Sequence, residues 1–262
     1  MDDQKPFSRI SLIVVTLNEE DHLERCIRSA EGVGEVIVVD SFSEDGTVEL
    51  AGRLGAKVFQ RPFTSAADQK NWAIEKTGLE WILILDADEA LSPELRREIG
   101  QAVMGGDCDG YWLRRRNEFF GKRIRYCGWQ RDRVIRLFRS GTGRYRKRAV
   151  HEKLELNGVV GRLDGYIEHV PYRDTGDYMD RLKSYSRLGA EQLRGEGRHW
   201  FPAIYLRPAA RFVRMYLLQL GFLDGSAGFK LCRLAALSVY RKYSELRKLH
   251  VAGGGKDNGR PD

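Results

Sequence analysis

The sequence has few cysteines and no long apolar run, and each absence disfavours a class of protein. Four cysteines occur in 262 residues, with no Cys-x-x-Cys arrangement, which disfavours a disulfide framework and a structural zinc site. No uninterrupted stretch of about 18 apolar residues is present, so we expect no membrane-spanning helix. The first residues, MDDQKPFSR, carry acids before any apolar run, so we expect no secretory signal.

Basic residues are abundant instead. Lys and Arg number 44 against 37 Asp and Glu, a formal net charge of +7. The stretch from residue 111 to 150 alone holds fourteen basic residues and two acidic ones. This excess is compatible with nucleic acid, anionic lipid or phosphorylated small molecules as partners.

The first hundred residues alternate short apolar runs with amphipathic segments, which predicts a mostly parallel α/β sheet of the Rossmann type. Ligands bind such sheets at the carboxyl ends of the strands, here the loops after Val15, Val39 and Leu85. Strands are predicted at residues 10–15, 35–39, 56–59 and 81–85, and helices at 19–30, 43–54, 65–76 and from Ser92-Pro93 onward.

Later parts of the chain have a different pattern. Short alternating runs between residues 110 and 170 predict further strands, and helices are predicted at 174–194, 203–221 and 227–248. We therefore expect an α/β domain over residues 1–172, a C-terminal helical region over 173–250 and a disordered tail over 251–262.

An acidic motif, Asp86-Ala87-Asp88-Glu89, directly follows the apolar run WILIL. Two carboxylates two positions apart reach one ligand where a chain leaves a sheet, and hard divalent cations prefer oxygen ligands. An acidic turn that caps the next helix explains the same residues. The motif alone therefore leaves a metal site and a simple turn both open.

Two other strand-end loops are polar. Thr16-Leu17-Asn18-Glu19 follows the first strand, and Asp40 ends the second. Ser43 fits the N-cap of the next helix, with Gly46 in the turn. Asp40 lies at the strand tip instead, where a carboxylate can accept hydrogen bonds from a nucleobase edge or a ribose.

The segments VVTLNEE, VVDSFSEDGT, AADQKNWA and ILDADE, in this order and spacing, resemble the family 2 inverting glycosyltransferases with the GT-A fold. The resemblance covers roughly residues 8–170. The later segments RRRNEFFGKRIRYCGW, RVIRLFR, VHEKL and GFLDGSAG are similar to the bacterial subgroup that includes lipopolysaccharide core β-1,4-glucosyltransferases, and similar sequences occur among other cell-surface polysaccharide transferases. The resemblance implies a UDP-sugar donor, a lipid-linked saccharide acceptor and Mg²⁺ or Mn²⁺.

The resemblance also implies a role for each strand-end loop. Asp88 is expected to be the direct metal ligand, and the cation to neutralise the leaving diphosphate. The other expected contacts are Thr16, Asn18 and Glu19 for the nucleotide, Asp40 for its base, Lys70 and Asn71 for the nucleotide or diphosphate, and Asp86 for the ribose and metal.

An inverting transfer needs a base on the acceptor side. The family usually carries a Glu-Asp pair for this after the acidic motif, and this sequence has none there. We predict Glu152 as the base and His151 as a metal or diphosphate contact, with a structural role for His151 equally open. Glu89 is a rival base whose position favours a supporting role, and His169 is a weaker candidate.

Three residues of GWQRDRVIRLFR are candidates for the sugar or acceptor pocket, because aromatic faces stack on sugars and arginine binds diphosphate. They are Trp129, Asp132 and Arg136. A basic strand with solvated arginines explains them equally well.

The C-terminal helical region mixes aromatic and basic residues. Residues 200–248 contain nine Lys and Arg and two acids, a composition that suits an anionic membrane surface. Helices packed on the protein with solvated arginines are the alternative. We expect a cytoplasmic enzyme, peripheral on the inner face of the cytoplasmic membrane.

Two other classes compete with the glycosyltransferase. A nucleotidyltransferase should carry a glycine-rich, basic phosphate loop after the first strand, whereas TLNEEDH is acidic and free of glycine. The run Arg114–Arg116 fits a nucleic-acid-binding module, but acidic strand-end loops repel a phosphate backbone. We therefore expect no nucleic-acid partner.

Overall fold

The computed structural model describes residues 6–146, 153–172, 175–195 and 203–254. Within these ranges the strands are β1 (Ile10–Thr16), β2 (Glu35–Asp40), β3 (Lys57–Gln60), β4 (Trp81–Asp86), β5 (Glu89–Leu91), β6 (Gly110–Phe119), β7 (Lys122–Arg123), β8 (Arg133–Arg139), β9 (Gly143–Tyr145), β10 (Leu154–Leu156) and β11 (Val160–His169). The α-helices are α1 (Glu20–Ser29), α2 (Thr47–Arg53), α3 (Ala66–Ile74), α4 (Pro93–Gly105), α5 (Thr175–Gly195), α6 (Ala203–Val213) and α7 (Gly225–Gly254).

The main sheet has the strand order β3-β2-β1-β4-β8-β6-β11-β5, with β7 added beside β6. β3, β2, β1 and β4 pair in parallel. β8 is antiparallel to both of its neighbours, and β5 is antiparallel to β11, whereas β11 and β6 are parallel. Along this path only β8 and β5 therefore oppose the common direction, which confirms the predicted α/β fold with a mostly parallel sheet and a C-terminal helical region.

Both faces of the central strands are buried, which is why their sequences are continuously apolar. Alternate residues enter two separate clusters. The first contains Leu12, Val14, Val38, Leu83 and Leu85 with Leu23 of α1 and Leu95 of α4, and the second contains Ile13, Ile37, Ile82 and Ile84 with Ala67 and Ala73 of α3.

One predicted helix cap is confirmed and one is wrong. Ser92 accepts a hydrogen bond from the Leu95 amide at 3.1 Å, and Pro93 begins α4 as expected. Ser43 does not cap α2, which begins at Thr47. The Ser43 hydroxyl oxygen instead accepts from the Asn18 amide at 2.8 Å, so it joins two loops.

Contacts divide the described chain into two units. The first runs to Asn117 and resumes over Arg131–Val170; the second takes Glu118–Gln130 and the described residues from Pro171 onward. The domain limits proposed from the sequence remain predictions.

The predicted continuous helix 203–221 is wrong. α6 ends at Val213 and a π-helical turn follows over Arg214–Leu218. Leu220 then adopts a left-handed backbone with φ 58°, which an α-helix does not accommodate. α7 includes residues 251–254, which were expected in the tail. Among the described helices, none combines the length and the apolar character needed to cross a lipid bilayer.

Candidate functional site

Three neighbouring parallel strands end together at one edge of the sheet. In the register of the sheet, Thr16 of β1 lies opposite Asp40 of β2, and Val15 lies opposite Asp86 of β4. The loops that follow these strands are therefore brought to a common edge, where ligands bind in parallel α/β sheets.

Asp40 is a fully buried hub between the first two loops. Its carboxylate accepts hydrogen bonds from the Thr16 hydroxyl at 3.0 Å, the Ser43 amide at 2.8 Å and the Gln60 side chain at 3.2 Å. These donors satisfy a charge that burial would otherwise disfavour. A nucleobase that binds Asp40 must therefore exchange with one of them, and base binding by Asp40 stays a prediction.

The loop after β1 is fastened to the loop after β2. Asn18 has a left-handed backbone with φ 56°, and its side-chain oxygen accepts from the Glu44 amide at 2.8 Å. The Glu19 amide donates to the Thr47 hydroxyl at 2.8 Å. These bonds give the two loops a defined shape, while the predicted contacts of Asn18 and Glu19 with a nucleotide remain predictions.

The tips of these loops expose two apolar side chains that the sequence analysis missed. Leu17 is 52% exposed and Phe42 is 54% exposed, although both flank buried strand ends. Phe42 has φ 63°, an unfavourable value for a bulky residue. Such strain often accompanies ligand contacts, and a strained aromatic residue at a strand end is not visible in the sequence pattern.

Asp86 is held between two buried cations. Its carboxylate lies 2.8 Å from the Lys70 ammonium and also pairs with the Arg136 guanidinium. Burial alone would raise the pKa of Asp86, but the charges of Arg136 and Lys70 outweigh it and hold the pKa well below its usual value. Asp86 is therefore anionic at neutral pH, and it neutralises cations that would otherwise be buried alone.

Asn71, beside Lys70, uses its side chain structurally. It donates to the Tyr145 carbonyl at 2.9 Å and accepts from the Tyr145 amide at 2.8 Å, which fixes β9 against α3. The predicted contact between Asn71 and a diphosphate stays a prediction.

Glu89, the first residue of β5, is completely buried. It accepts from the Asp86 amide at 3.1 Å and from Arg136 at 3.0 Å, and it lies 3.4 Å from Arg115. The two acids raise the pKa of Arg136, although burial alone would lower it. Three donors around one carboxylate favour the supporting role that the sequence suggested for Glu89.

A polar chain connects this ion-pair cluster to β11. Asp132 receives two hydrogen bonds from Arg115, at 2.9 and 3.0 Å, and a third from the Asn117 side chain at 3.0 Å. Asn117 in turn contacts Nδ1 of His169 at 2.6 Å. Asp132 and Arg136 thus both lie in the network around the acidic motif.

Asp88 and His169 face each other at the end of this chain. The Asp88 carboxylate lies 3.6 Å from Nε2 of His169. Its other oxygen, Oδ1, is buried and has no hydrogen-bond partner within the part of the chain that the structure describes. Burial alone would lower the pKa of His169, but the Asp88 carboxylate and the charge of Glu89 outweigh it and raise the pKa.

The pairing of β5 with β11 brings Asp88 and His169 close together. β5 and β11 are antiparallel, with His169 opposite Glu89, and the Val170 amide donates to the Asp88 carbonyl at 3.1 Å. His169 was a weak candidate from the sequence. No local sequence pattern indicates that the three-residue strand β5 pairs with a strand about 80 residues later in the chain.

Asp88 and His169 are the residues of this cluster that would hold a divalent cation. The Asp88 oxygen without a partner among the described residues and the nearby imidazole are the donors that they would offer. Among the residues with a described position, no group of three His, Cys, Asp or Glu side chains could hold a metal ion. Asp88 and His169 would therefore share the cation with ligands such as diphosphate oxygens and water.

Three further residues were predicted from the sequence for the site. His151 and Glu152 lie outside the described residues. Trp129 belongs to the second unit, where its ring packs edge-on against Phe119 at a centroid distance of 6.3 Å. The roles predicted for these three residues remain predictions.

A mostly parallel sheet with polar loops at one edge and an acidic motif after β4 defines an α/β protein of the GT-A type. The family described as Glycosyl transferase family 2 matches residues 11–156, more than half of the chain. This chain therefore belongs to glycosyl transferase family 2, and it is a glycosyltransferase. Membership favours this activity over the nucleotidyltransferase and the nucleic-acid-binding module.

Relatives agree with this assignment. The lipopolysaccharide core biosynthesis glycosyltransferase LpsC of Rhizobium meliloti is 29% identical over 251 residues, covering 90% of this chain and 93% of LpsC. An uncharacterized glycosyltransferase of Rickettsia typhi is 28% identical, covering 93% of this chain and 88% of that protein. The crystal structure of S. aureus TarS 1–349 has a TM-score of 0.48 at 13% identity, covering 97% of this chain and 94% of that chain.

Proposed function

We propose that this glycosyltransferase moves a hexose, with glucose as the expected sugar, from a UDP-sugar to a hydroxyl group of a lipid-linked saccharide such as lipopolysaccharide core. The transfer inverts the anomeric carbon and uses a divalent cation. The name of the relative LpsC supports this acceptor class. The observation that carries the proposal is the Asp88 carboxylate at the strand edge: its buried Oδ1 has no hydrogen-bond partner among the described residues, and its Oδ2 lies 3.6 Å from Nε2 of His169.

Asp88 and His169 are the side chains proposed to hold the cation. When bound there, the cation supplies positive charge that stabilises the leaving diphosphate. Lys70 and Arg136 fix Asp86 in its ionised form, so that the turn after β4 keeps Asp88 in place. Glu89 anchors the same turn by accepting the Asp86 amide.

The nucleoside is proposed to bind along the loops after β1 and β2. Thr16 and Asp40 lie at the ends of β1 and β2. Asn18 and Glu19 make hydrogen bonds that order the loop after β1. The exposed faces of Leu17 and Phe42 offer an apolar surface for a nucleobase.

The base that activates the acceptor hydroxyl is proposed to be Glu152, with His151 as a contact to the metal or diphosphate. The proposal rests on their position after the acidic motif in the sequence. Glu89 is less suitable, because Arg136 and Arg115 surround its carboxylate.

The C-terminal helical region, residues 173–250, is proposed to hold the enzyme on the anionic cytoplasmic face of the membrane, where a lipid-linked acceptor resides. Nine basic residues against two acids between positions 200 and 248 support this proposal. Each basic residue near such a surface contributes up to about 1 kcal/mol to binding.

Donor hydrolysis tests the proposal directly. The protein is incubated with UDP-glucose, UDP-galactose or UDP-N-acetylglucosamine, with Mg²⁺, Mn²⁺ or EDTA, and free UDP is measured. We expect release with metal, loss of release with EDTA and the fastest rate with UDP-glucose. GDP-mannose serves as the control donor, for which free GDP is measured. Equal UDP release in EDTA would exclude the metal-dependent mechanism, and release from GDP-mannose alone would exclude the UDP-sugar.

The acceptor is tested separately. Lipopolysaccharide from a strain that lacks this protein should accept labelled hexose, whereas lipopolysaccharide from the parent strain should accept little. NMR of the product should show a β-linkage formed from the α-linked donor. Retention of the α-configuration would contradict the inverting mechanism.

A further inference from the structure

The segment between α6 and α7 exposes an unusual set of apolar side chains. Within residues 217–223, here called the apolar loop, five side chains are more than two-fifths exposed. They are Leu217 (53%), Leu218 (77%), Leu220 (42%), Phe222 (44%) and Leu223 (53%). Scattered exposed leucines are ordinary, but five exposed apolar side chains within seven residues concentrate apolar surface in one segment, and concentrations of this kind mark interaction sites.

The backbone of the apolar loop makes its own hydrogen bonds. The Gln219 amide donates to the Arg214 carbonyl at 2.8 Å, Leu220 to Leu217 at 3.2 Å and Leu223 to Leu220 at 3.0 Å. An apolar environment tolerates a segment only when its backbone polar groups are paired internally. The apolar loop has these pairings, in contrast to an ordinary surface loop that relies on water.

Buried neighbours hold the apolar loop in this outward conformation. Gly221 packs where a Cβ atom would lie 2.9 Å from the Cys127 sulfur and 3.0 Å from the Cys232 sulfur. The Asp224 carboxylate accepts from the backbone amides of Arg125 and Tyr126, at 3.0 and 2.8 Å. The leucines are therefore presented by a fixed scaffold, and inward collapse would break these contacts.

The charged residues along the chain from α6 to the end of the apolar loop are all basic. Residues 203–223 contain three arginines and no acid. Two of them, Arg211 and Arg214, are exposed in the turns that lead into the apolar loop. The first acid that follows, Asp224, is occupied by the two backbone amides of residues 125 and 126. An apolar loop preceded in the chain by exposed cations is complementary to a membrane in which anionic headgroups lie above an acyl layer.

We propose that the apolar loop is the element that inserts into an anionic lipid bilayer, with Arg211 and Arg214 binding the headgroups. This inference rests on the proposed membrane association and narrows it to one segment. A rigid inserted loop would give the enzyme a fixed point on the membrane that carries its acceptor.

Vesicle sedimentation tests the proposal with full-length protein. Wild type should sediment with phosphatidylglycerol-rich vesicles, less so at high salt, and should stay in solution with pure phosphatidylcholine. Leu218→Gln should weaken binding to the anionic vesicles about tenfold, because one inserted leucine side chain is lost. Arg214→Gln should lower the affinity and flatten its salt dependence.

The matched control is Leu188→Gln on α5, an exposed leucine of the same unit at 45% exposure. It should bind vesicles as wild type does. An equal loss in Leu188→Gln would overturn the assignment to the apolar loop. Circular dichroism of each variant confirms that it is folded.

Two further measurements decide between occupants of the patch. In Leu218→Trp, the emission of the introduced tryptophan should shift to shorter wavelength when anionic vesicles are added, and brominated acyl chains should quench it. An unshifted spectrum would refute insertion. Light scattering should give the same mass for wild type and Leu218→Gln. If Leu218→Gln instead converts a dimer into a monomer while wild type ignores vesicles, the patch is a dimer interface and the proposal fails.

Donor hydrolysis on the same preparations separates this inference from the proposed catalytic function. All apolar-loop variants should release UDP in solution at the wild-type rate. Vesicle binding without any UDP release would refute the catalytic proposal and support this one, whereas UDP release without vesicle binding would do the reverse.

Discussion

Arg136 is the residue whose removal should affect the acidic cluster most. It is 4% exposed and pairs with both Asp86 and Glu89. Arg136→Met keeps the length of the side chain and much of its apolar contact but removes the charge. Two partly or fully buried carboxylates then lie together with fewer partners.

The cost follows from what remains. Asp86 keeps one cation, Lys70, at 2.8 Å, and Glu89 keeps one cation, Arg115, at 3.4 Å, together with the hydrogen bond from the Asp86 amide. Removing one partner of a buried ion pair costs about 3–5 kcal/mol, because the other charge is left uncompensated. Since both acids retain one cation, we expect a loss of about 3 kcal/mol in the free energy of unfolding at pH 7.

The loss in the free energy of unfolding should become smaller as the pH falls. The pKa of Asp86 in the folded protein lies below its ordinary value of 3.8, so the stability it contributes is present above that pH and disappears as the pH falls through and below it. In Arg136→Met, burial has less opposing charge and the pKa of Asp86 rises. The deficit of the variant should therefore be full at pH 7 and narrow as the pH falls through the raised pKa of Asp86 in the variant.

Urea unfolding followed by tryptophan fluorescence, at several pH values between 7 and 4, measures this difference. Arg133→Met is the matched control, because Arg133 is an exposed arginine on the same strand. It should change stability by less than about 0.5 kcal/mol. A deficit below about 1 kcal/mol for Arg136→Met, or one that does not change with pH, would refute the ion-pair reasoning.

Three further variants test the proposed site. Asp88→Asn should abolish UDP release at saturating Mn²⁺ while stability changes by less than about 1 kcal/mol, because a metal ligand is lost without a packing change. Asp40→Asn should weaken UDP binding by roughly 1.5–3 kcal/mol in calorimetry, since an acceptor for the base is replaced. Glu152→Gln should lose transfer yet bind UDP-sugar normally, because shape is kept and basicity is lost.

Controls and contrary outcomes differ for these three. Asp164→Asn, at an exposed acid of β11, should behave as wild type in every assay. Near-normal turnover of Asp88→Asn would exclude the metal site. Unchanged UDP affinity in folded Asp40→Asn would leave Asp40 a purely structural hub. An active Glu152→Gln, together with an inactive Glu89→Gln that still binds donor and metal, would transfer the role of base to Glu89.

Most of the fold was predictable, because local pattern and tertiary structure agree in the first unit. β1, β2 and β4 are apolar on both faces, so their periodicity and their helical connections indicate parallel strands. The predicted ends at residues 15, 39 and 85 each lie one residue before the observed ends at Thr16, Asp40 and Asp86. The π-helical turn and the left-handed Leu220 were not predictable, because the apolar pattern of residues 203–221 suits an unbroken helix.

The site was predictable only where it follows from strand ends. The meeting of His169 with Asp88 depends on pairing between distant strands, which no local pattern encodes. Asp40 looked free at a strand tip, but Thr16, Ser43 and Gln60 fill its hydrogen-bonding positions, and these partners come from three different segments. Long-range polar partners decide whether a carboxylate is available, and sequence spacing does not show them.

The assignment of Glu118–Gln130 to the second unit has a practical consequence. The chain enters the second unit at Glu118, returns to the first unit at Arg131 and enters the second unit again at Pro171. No single break in the chain therefore separates the two units. A protein shortened before α6 would leave the backbone amides of Arg125 and Tyr126 without Asp224, and it would remove Met215, Leu231 and Cys232 from the apolar cluster that contains Phe119. In such a deletion variant, weaker membrane binding could therefore not be distinguished from local unfolding. Exchange of the helical unit between related enzymes should succeed only when residues 118–130 are transplanted with it.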